Sequence, residues 1–233
     1  MEKDIVVHMA RLFQIIMKPF NDYLNKALEG FVMPQRLGVY DGELPKGEIT
    51  KMSSSMYLYH YFDLRDGAFR NLSDCEPEEA DKILNELRKK RPNAQATSRH
   101  KTYIEDRLHY EQIARNLFDS MGGKRTRFAP HYMVVEECPW LYSWFEQPGY
   151  VKIPIEEFDL ATLSFTYGDM HPTFSPRVTD GKEYRKKLYL YEDILKLIEK
   201  YGLPQIWNGD GRFGPERYIE VQVWSDETIQ KYK

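Results

Sequence analysis

The sequence predicts an α+β protein, with a mixed or antiparallel β-sheet core, flanking helices and an N-terminal helical appendage. After Met56, five short runs rich in aromatic and β-branched residues have the pattern of strands, and three longer segments repeat apolar residues at helical spacing. Before Met56, a single helical stripe is followed by a connector rich in Gly, Pro and Ser. We therefore predict an N-terminal extension over residues 1–55 and an α+β core domain over residues 56–233.

The N-terminal extension is predicted to begin with a helix. Apolar residues recur at helical spacing between Val6 and Leu28, where Pro19 is expected to kink or restart the helix and Gly30 to end it. Residues 34–55 indicate an irregular connector. We expect the apolar stripe to pack on the core domain or on a second copy of the chain, giving a homo-oligomer. A partner-binding helix and a lineage-specific extension are the alternatives.

The core domain is predicted to combine strands and helices without an internal repeat. The strands are expected at residues 56–62, 131–137, 149–155, 163–169 and 217–224, and the helices at residues 76–92, 103–123 and 191–202. The first helix should have Asp74 or Cys75 near its N-cap, because acidic residues follow in its first turn. The inward-facing residues of the first two helices are expected to be Ala80, Ile83, Leu84 and Leu87, then Ile104, Leu108, Ile113 and Leu117.

Composition and charge exclude several classes of protein. The formal net charge is −3, so charge alone gives no case for binding nucleic acid or an anionic membrane. The two cysteines, Cys75 and Cys138, form neither a disulfide framework nor a metal-binding pattern. The apolar runs are shorter than the roughly 20 residues of a membrane span, and the first residues lack the pattern of a signal peptide. We expect a cytoplasmic protein with no membrane partner.

The segment SFTYGDMHPTFSP, residues 164–176, is the first candidate for a binding site. Tyr167 ends a predicted strand, Gly168 allows a tight turn, and Asp169 and His171 project from that turn. We expect this segment to form a pocket wall. The alternative is that the same residues only shape the turn and that Asp169 caps it.

Two further strands carry candidate side chains. His60 lies among large aromatic residues in LYHYF, where it faces either a core or a pocket. The run from His131 and Tyr132 continues into Trp140 and Trp144, which form either plain core or a stacking platform for a ring. Because the histidines and Asp169 have no metal-binding spacing, we predict no metal site.

The last predicted strand carries two glutamates. Glu216, Tyr218 and Glu220 alternate with Ile219 and Val221, so the polar residues are expected on one face and the apolar residues on the other. Carboxylates opposite an apolar stripe are usually exposed to solvent. If that face closes a cleft, one of the two can polarise a sugar hydroxyl.

Basic residues cluster in three short runs of an otherwise acidic chain. They indicate either solvated helix ends or a surface that contacts phosphate or nucleic acid. The candidates for that surface are Arg88, Lys89, Arg91, Arg99, Lys124 and Arg125. No Walker loop, dinucleotide-binding glycine motif or nucleophile elbow accompanies them.

Four of these segments together resemble the strand series of the ADP-ribosyltransferase superfamily, in its His-Tyr-Glu type. They are LYHYF, HYMVV, IPIEEFDLATLSFTYGD and ERYIEVQVWSDETI, and the resemblance covers residues 56–230. It implies that His60 holds a ribose hydroxyl and the nicotinamide amide, and that Tyr132 stacks on nicotinamide. Glu220, or otherwise Glu216, would contact the nicotinamide ribose and stabilise the developing oxocarbenium charge.

The resemblance also implies a function. NAD would serve as a substrate, either to modify a macromolecular acceptor, nucleic acid being one candidate, or to be cleaved. His60, Tyr132 and Glu220 would be catalytic, and Tyr167, Asp169 and His171 would line the nucleotide site with His60 and Tyr132. The competing hypothesis is a non-enzymatic binding module, in which an aromatic cleft and the basic residues hold a partner.

Overall fold

The computed structural model describes residues 55–233. The predicted N-terminal extension, apart from Ser55, lies outside the described residues, and so does its apolar stripe. The described residues belong to one compact unit. Within the described part of the chain, no helix combines the length and the apolar character needed to cross a membrane.

Five strands and six α-helices make up the core, which confirms the predicted α+β class. The strands are β1 (Tyr57–Asp63), β2 (His131–Val135), β3 (Pro148–Pro154), β4 (Leu163–Thr166) and β5 (Glu220–Val223). The helices are α1 (Pro77–Lys90), α2 (Tyr103–Ser120), α3 (Pro139–Tyr142), α4 (Met170–Phe174), α5 (Tyr191–Tyr201) and α6 (Pro204–Trp207). Five short 3₁₀ segments lie at Leu72–Asp74, Gln95–Thr97, Ile155–Glu157, Leu160–Thr162 and Ile229–Tyr232.

The three long helices and five strands lie where the sequence predicts them; β1 and β3 are shifted by one residue, and the other elements are shorter than predicted. The N-cap of α1 is Glu76, which directly follows Cys75, because Pro77 occupies the first helical position, where its missing N–H costs nothing. The last strand begins at Glu220 and not at residue 217, so the segment that carries Glu216 and Tyr218 is irregular.

The strands form one antiparallel sheet in the order β3-β1-β2-β5-β4. Paired residues point to the same side of a sheet, so the register divides it into two faces. One face, which we call the apolar face, carries Leu58, Met133 and Val221 and packs against Ile194 of α5. The other, the cavity face, carries Val134, Glu220 and their partners. Against part of it pack α2 and α4, through residues that include Ala114, Phe118 and Phe174.

A chain of buried polar side chains crosses the cavity face on β4 and β5. Ser164 donates a hydrogen bond to Gln222 Oε1 over 2.8 Å, and Gln222 Nε2 donates to Glu220 Oε1 over 3.0 Å. Trp224 Nε1 donates to Ser164 Oγ over 2.9 Å. Because buried polar atoms are costly without partners, this chain fixes the orientation of Glu220 from one side.

The apolar face is expected to supply most of the stability of the sheet. Leu58 is fully buried at its centre, whereas Leu64 is 61% exposed. We expect Leu58→Ala to lower the free energy of unfolding by about 2 to 5 kcal/mol, because it leaves a cavity in a packed core. The control Leu64→Ala should change it by less than about 0.5 kcal/mol. Urea denaturation measures both, and equal effects would show that the two leucines are not buried as described.

Candidate functional site

A cavity of about 250 Å³ opens on the cavity face of the sheet. The strands supply Tyr132 and Glu220, α2 supplies Tyr103 and Arg107, and the start of α4 supplies His171 with Asp169 before it. Arg99 and Trp144 come from the connecting segments. Arg70 also lines the cavity, so two carboxyl groups, three arginines and several aromatic rings surround one space.

Glu220 is the buried carboxyl group of this cavity. Only 7% of the residue is exposed, and Gln222 is a direct hydrogen-bond donor to it. Burial, and after it the charge of Asp169, raises the pKa of Glu220 well above its ordinary value, although Gln222 and Arg107 act in the opposite direction. Two neighbouring carboxyl groups cannot both ionise cheaply in a site with little water. Glu220 therefore keeps its proton to a higher pH than an exposed glutamate does.

Asp169 is placed beside Glu220 by the turn that ends β4. Gly168 has φ +112°, a conformation that other residues rarely adopt, and Asp169 follows as the N-cap of α4. One of its oxygens, Oδ1, accepts from the main-chain N–H of His171 over 2.7 Å, and Oδ2 accepts from the Tyr218 hydroxyl over 2.7 Å. Asp169 therefore both caps the turn and lines the cavity, so the two interpretations of this segment describe the same residue.

His171 presents an unused polar atom to this region. Its ring stacks on Tyr103 with centroids 5.3 Å apart and meets Tyr110 edge-on at 5.1 Å. Its Nε2 atom is buried and has no hydrogen-bond partner among the described residues. Burial lowers the pKa of His171, which favours the neutral ring. A neutral imidazole with a free ring nitrogen can bind a hydroxyl or amide group of a ligand.

Tyr132 is held by charged residues of α2. Its hydroxyl donates to Glu111 Oε1 over 2.5 Å, and the guanidinium carbon of Arg107 lies 4.4 Å from the centre of its ring. Arg107 also forms an ion pair with Glu111 at 3.0 Å and donates to Ser73 and Asn71. One face of the Tyr132 ring is therefore covered by Arg107, and its hydroxyl is already bound.

His60 has a different environment from the one that the resemblance implies. The register places it on the apolar face, opposite to Glu220, and it borders the cavity only where β1 and β2 separate. Its Nδ1 atom lies 2.8 Å from the carbonyl oxygen of Tyr132, and Nε2 accepts from the N–H of Phe69 over 2.9 Å. Burial lowers its pKa to about 4. With both ring nitrogens bound to the main chain, His60 cannot bind ribose without breaking one of these bonds.

Two other candidates lie away from the cavity. Tyr167 is fully buried on the apolar side, and its hydroxyl donates to the carbonyl oxygen of Gly202 over 2.6 Å. Glu216 is fully buried between Lys182, at 2.7 Å, and Arg185. The interpretation of Glu216 and Glu220 as an exposed face is therefore wrong, and only Glu220 lines the cavity.

Most of the basic candidates are bound to other residues. Arg88 donates to main-chain oxygens of Thr97 and Arg99, and Arg91 pairs with Asp66. Lys124 lies 3.6 Å from Asp159, and Arg125 pairs with Asp119. Lys89 is exposed at the end of α1. Arg99 alone of these six residues lines the cavity, so they do not act together as one free basic surface.

Arg107, Glu111 and Tyr103 were missed, because only aliphatic residues were assigned to the inner face of α2. Ile104 is buried as predicted, and Leu108, Ile113 and Leu117 are partly buried against the core. The inner face also includes the buried Glu111, Ala114 and Phe118. The spacing of residues along α2 does place Arg107 and Glu111 on the inner face of this helix. Residues 104, 107, 111, 114 and 118 follow the alternating steps of three and four that mark one helix face, and two of them are charged.

No family model, curated protein or solved structure matches this chain. Between residues 55 and 233, no group of three His, Cys, Asp or Glu side chains is placed to hold a metal ion. What the protein binds therefore has to be inferred from the side chains that line the cavity.

The buried His60 ring predicts a specific dependence of stability on pH. The unfolded chain binds a proton at this histidine below its ordinary pKa of 6.5, whereas the folded protein does so only below about 4. Wild-type stability should therefore fall as the pH drops through this window. His60→Gln lacks this term, so the stability difference between wild type and variant should shrink by up to about 3 kcal/mol.

Urea denaturation at a series of pH values between these limits measures the difference. The control is His109→Gln, which makes the same change at an exposed histidine of α2. A constant difference between wild type and His60→Gln across the window would show that His60 is not buried as a neutral ring.

Proposed function

We propose that the cavity binds the nicotinamide ribose end of NAD, and that the protein transfers ADP-ribose from NAD to a macromolecular acceptor or cleaves NAD. The observation that carries this proposal is the pair of Glu220 and Asp169 at the wall of an aromatic cavity. A buried glutamate with a partly buried aspartate beside it is suited to a ligand that is, or becomes, positively charged. Nicotinamide in NAD carries a positive charge, and its departure moves positive charge onto the ribose.

The reaction needs little covalent chemistry from the protein. The bond between the ribose carbon and the nicotinamide nitrogen breaks, and its electron pair goes to that nitrogen, leaving an oxocarbenium-like ribose. An acceptor group or water then forms a bond to the same carbon and gives up its proton to a carboxylate. Glu220 and Asp169 would stabilise the developing charge, a contribution of typically about 3 to 4 kcal/mol for one preorganised group.

The cavity suggests different partners for the ribose from those of the sequence resemblance. His171, with its free Nε2 atom, replaces His60 as the candidate for a ribose hydroxyl or the nicotinamide amide. Tyr132 keeps one ring face that Arg107 does not cover, and this face is the candidate for stacking on nicotinamide. The volume of about 250 Å³ is below the usual ligand-pocket range of roughly 300 to 1,000 Å³, so only this end of NAD would lie inside.

A non-catalytic binding module is the second candidate. The observation that favours it is the position of His60, which removes one of the three side chains on which the transferase resemblance rests. In this case the cavity would hold a nucleotide or a partner's side chain, and Glu220 would contribute to recognition alone. Ligand binding without turnover distinguishes this candidate from the enzyme.

Glu220→Gln separates catalysis from binding, because it keeps the shape of the side chain and removes its ability to ionise. We expect the rate of nicotinamide release to fall by about 100-fold or more and NAD affinity to fall far less, because most of the interaction is made in the transition state. The assay uses purified protein with cell extract as the source of acceptor. Glu137→Gln, the same change at an exposed residue outside the cavity, is the control. A wild-type protein that binds no NAD by calorimetry would overturn the proposal.

Proton release provides a second, independent measurement. Because the pKa of Glu220 is raised in the free protein, a cationic nicotinamide ring beside it should favour the carboxylate and expel a proton. We expect NAD binding to release a proton and ADP-ribose binding to release less, since ADP-ribose has no cationic ring. Calorimetry in two buffers of different ionisation enthalpy, over a series of pH values, measures this release. Glu220→Gln should abolish the difference between the two ligands, and its persistence in that variant would assign the proton to another group.

A further inference from the structure

A second cavity, of about 390 Å³, adjoins the first. The residues that line both cavities are Arg99, Tyr103, Asp169, His171 and Tyr218. The second cavity extends past these shared residues to His100, Trp140 and Arg177. A ligand larger than the first cavity therefore has a continuous wall along which to extend.

Arg99 lies at the junction of the two cavities and is held there by aromatic rings. Its guanidinium carbon is 4.6 Å from the centre of the Trp144 ring and 4.9 Å from the centre of the Tyr103 ring. The Tyr103 ring in turn stacks on His171. The rings accept no conventional hydrogen bond from Arg99, and its N–H groups have no acceptor among residues 55–233, so these donors remain available.

Within residues 55–233, the arginines without a partner are all found at these cavities. Of the thirteen arginines between residues 55 and 233, ten donate a side-chain hydrogen bond or form an ion pair. The other three are Arg70, which lines the first cavity, Arg99, which lines both, and Arg177, which lines the second. An arrangement in which only the cavity arginines lack acceptors indicates that the acceptor is the ligand.

A buried donor and the state of the nearby acids point the same way. Trp144 is only 7% exposed and lines the first cavity, yet its indole N–H has no acceptor within the described residues. The acidic residues of the second cavity are already bound: Asp106 accepts from the Thr102 hydroxyl over 3.0 Å, and Asp169 accepts from Tyr218 and His171. The free hydrogen-bonding capacity on this wall consists mainly of donors.

We propose that Arg99, with Arg177 beyond it and the Trp144 N–H beside it, binds the diphosphate of a dinucleotide whose ribose end occupies the first cavity. A planar guanidinium matches two phosphate oxygens at once, and phosphate accepts hydrogen bonds without donating any when fully ionised. The identity of the ligand as NAD rests on the function proposed above. The phosphate site itself follows from the free donors.

The test uses ADP-ribose, which carries the diphosphate without nicotinamide, and nicotinamide riboside, which carries nicotinamide ribose without phosphate. Calorimetry on the full-length chain should show that Arg99→Gln weakens ADP-ribose binding by about 10-fold or more, the loss of a charge-assisted pair. Nicotinamide riboside affinity should not change. Arg99→Lys, which keeps the charge and loses the planar fork, should fall between wild type and Arg99→Gln. Arg212→Gln, at an exposed arginine paired with Asp210 outside both cavities, is the matched control.

The outcomes separate this inference from the transferase proposal. Weaker ADP-ribose binding by Arg99→Gln supports the phosphate site even if the wild type never releases nicotinamide. Unchanged ADP-ribose affinity in a variant that melts at the wild-type temperature overturns it, even if NAD is turned over. An equal loss for both ligands also overturns it, because it would show a general disturbance of the cavity. If Arg99→Gln weakens binding of a single-stranded oligonucleotide but not of ADP-ribose, the site reads nucleic-acid phosphates and the diphosphate assignment is wrong.

Discussion

The burial of Glu220 beside Asp169 is the constraint on which the arrangement of this face depends. A carboxyl group in a site with little water is costly when ionised, and a second carboxylate nearby raises that cost. The surrounding structure offsets it with donors: Gln222 binds Glu220, Tyr218 and the His171 N–H bind Asp169, and Arg107 adds a positive charge. Filling the site with apolar residues would avoid the cost altogether, so the acids indicate a function rather than a contribution to stability.

Some polar groups around the cavity have hydrogen-bond partners within the protein and others have none, and this difference indicates which ligand groups the cavity suits. The acids and the Tyr132 hydroxyl have partners within the protein, whereas His171 Nε2, the Trp144 indole N–H and the Arg99 guanidinium have none among residues 55–233. A folded protein rarely leaves buried donors unpaired. A ligand that is rich in acceptors at one end would bind the free donors, and a positive charge at its other end would interact favourably with the acids. Dinucleotides with a cationic ring have this distribution.

The sequence predicted the elements of the fold better than the members of the site. Alternation and helical spacing located the five strands and three long helices, because those patterns follow directly from burial on one face. The short helix Met170–Phe174 was missed, since its formation depends on the cap supplied by Asp169. Arg107 and Glu111 were missed because they lie on the inner face of α2, where apolar residues are expected. Charged side chains occur there because they contact Tyr132 and each other, and these contacts are visible only in the folded structure. Sequence spacing also could not show that both nitrogens of His60 bind the main chain.

The separation of the two histidines by the sheet explains what each can do. His60 fills the gap where the β1–β2 ladder ends, and its ring replaces main-chain hydrogen bonds that the diverging strands cannot make. That role requires a neutral ring and a fixed position, which leaves nothing free for a ligand. His171 stacks on Tyr103, which also contacts the free Arg99, so its unpaired nitrogen and the free guanidinium are held along one wall. The unpaired ring nitrogen of His171, near the unpaired guanidinium of Arg99, is therefore more informative about function than the presence of His60 in a strand.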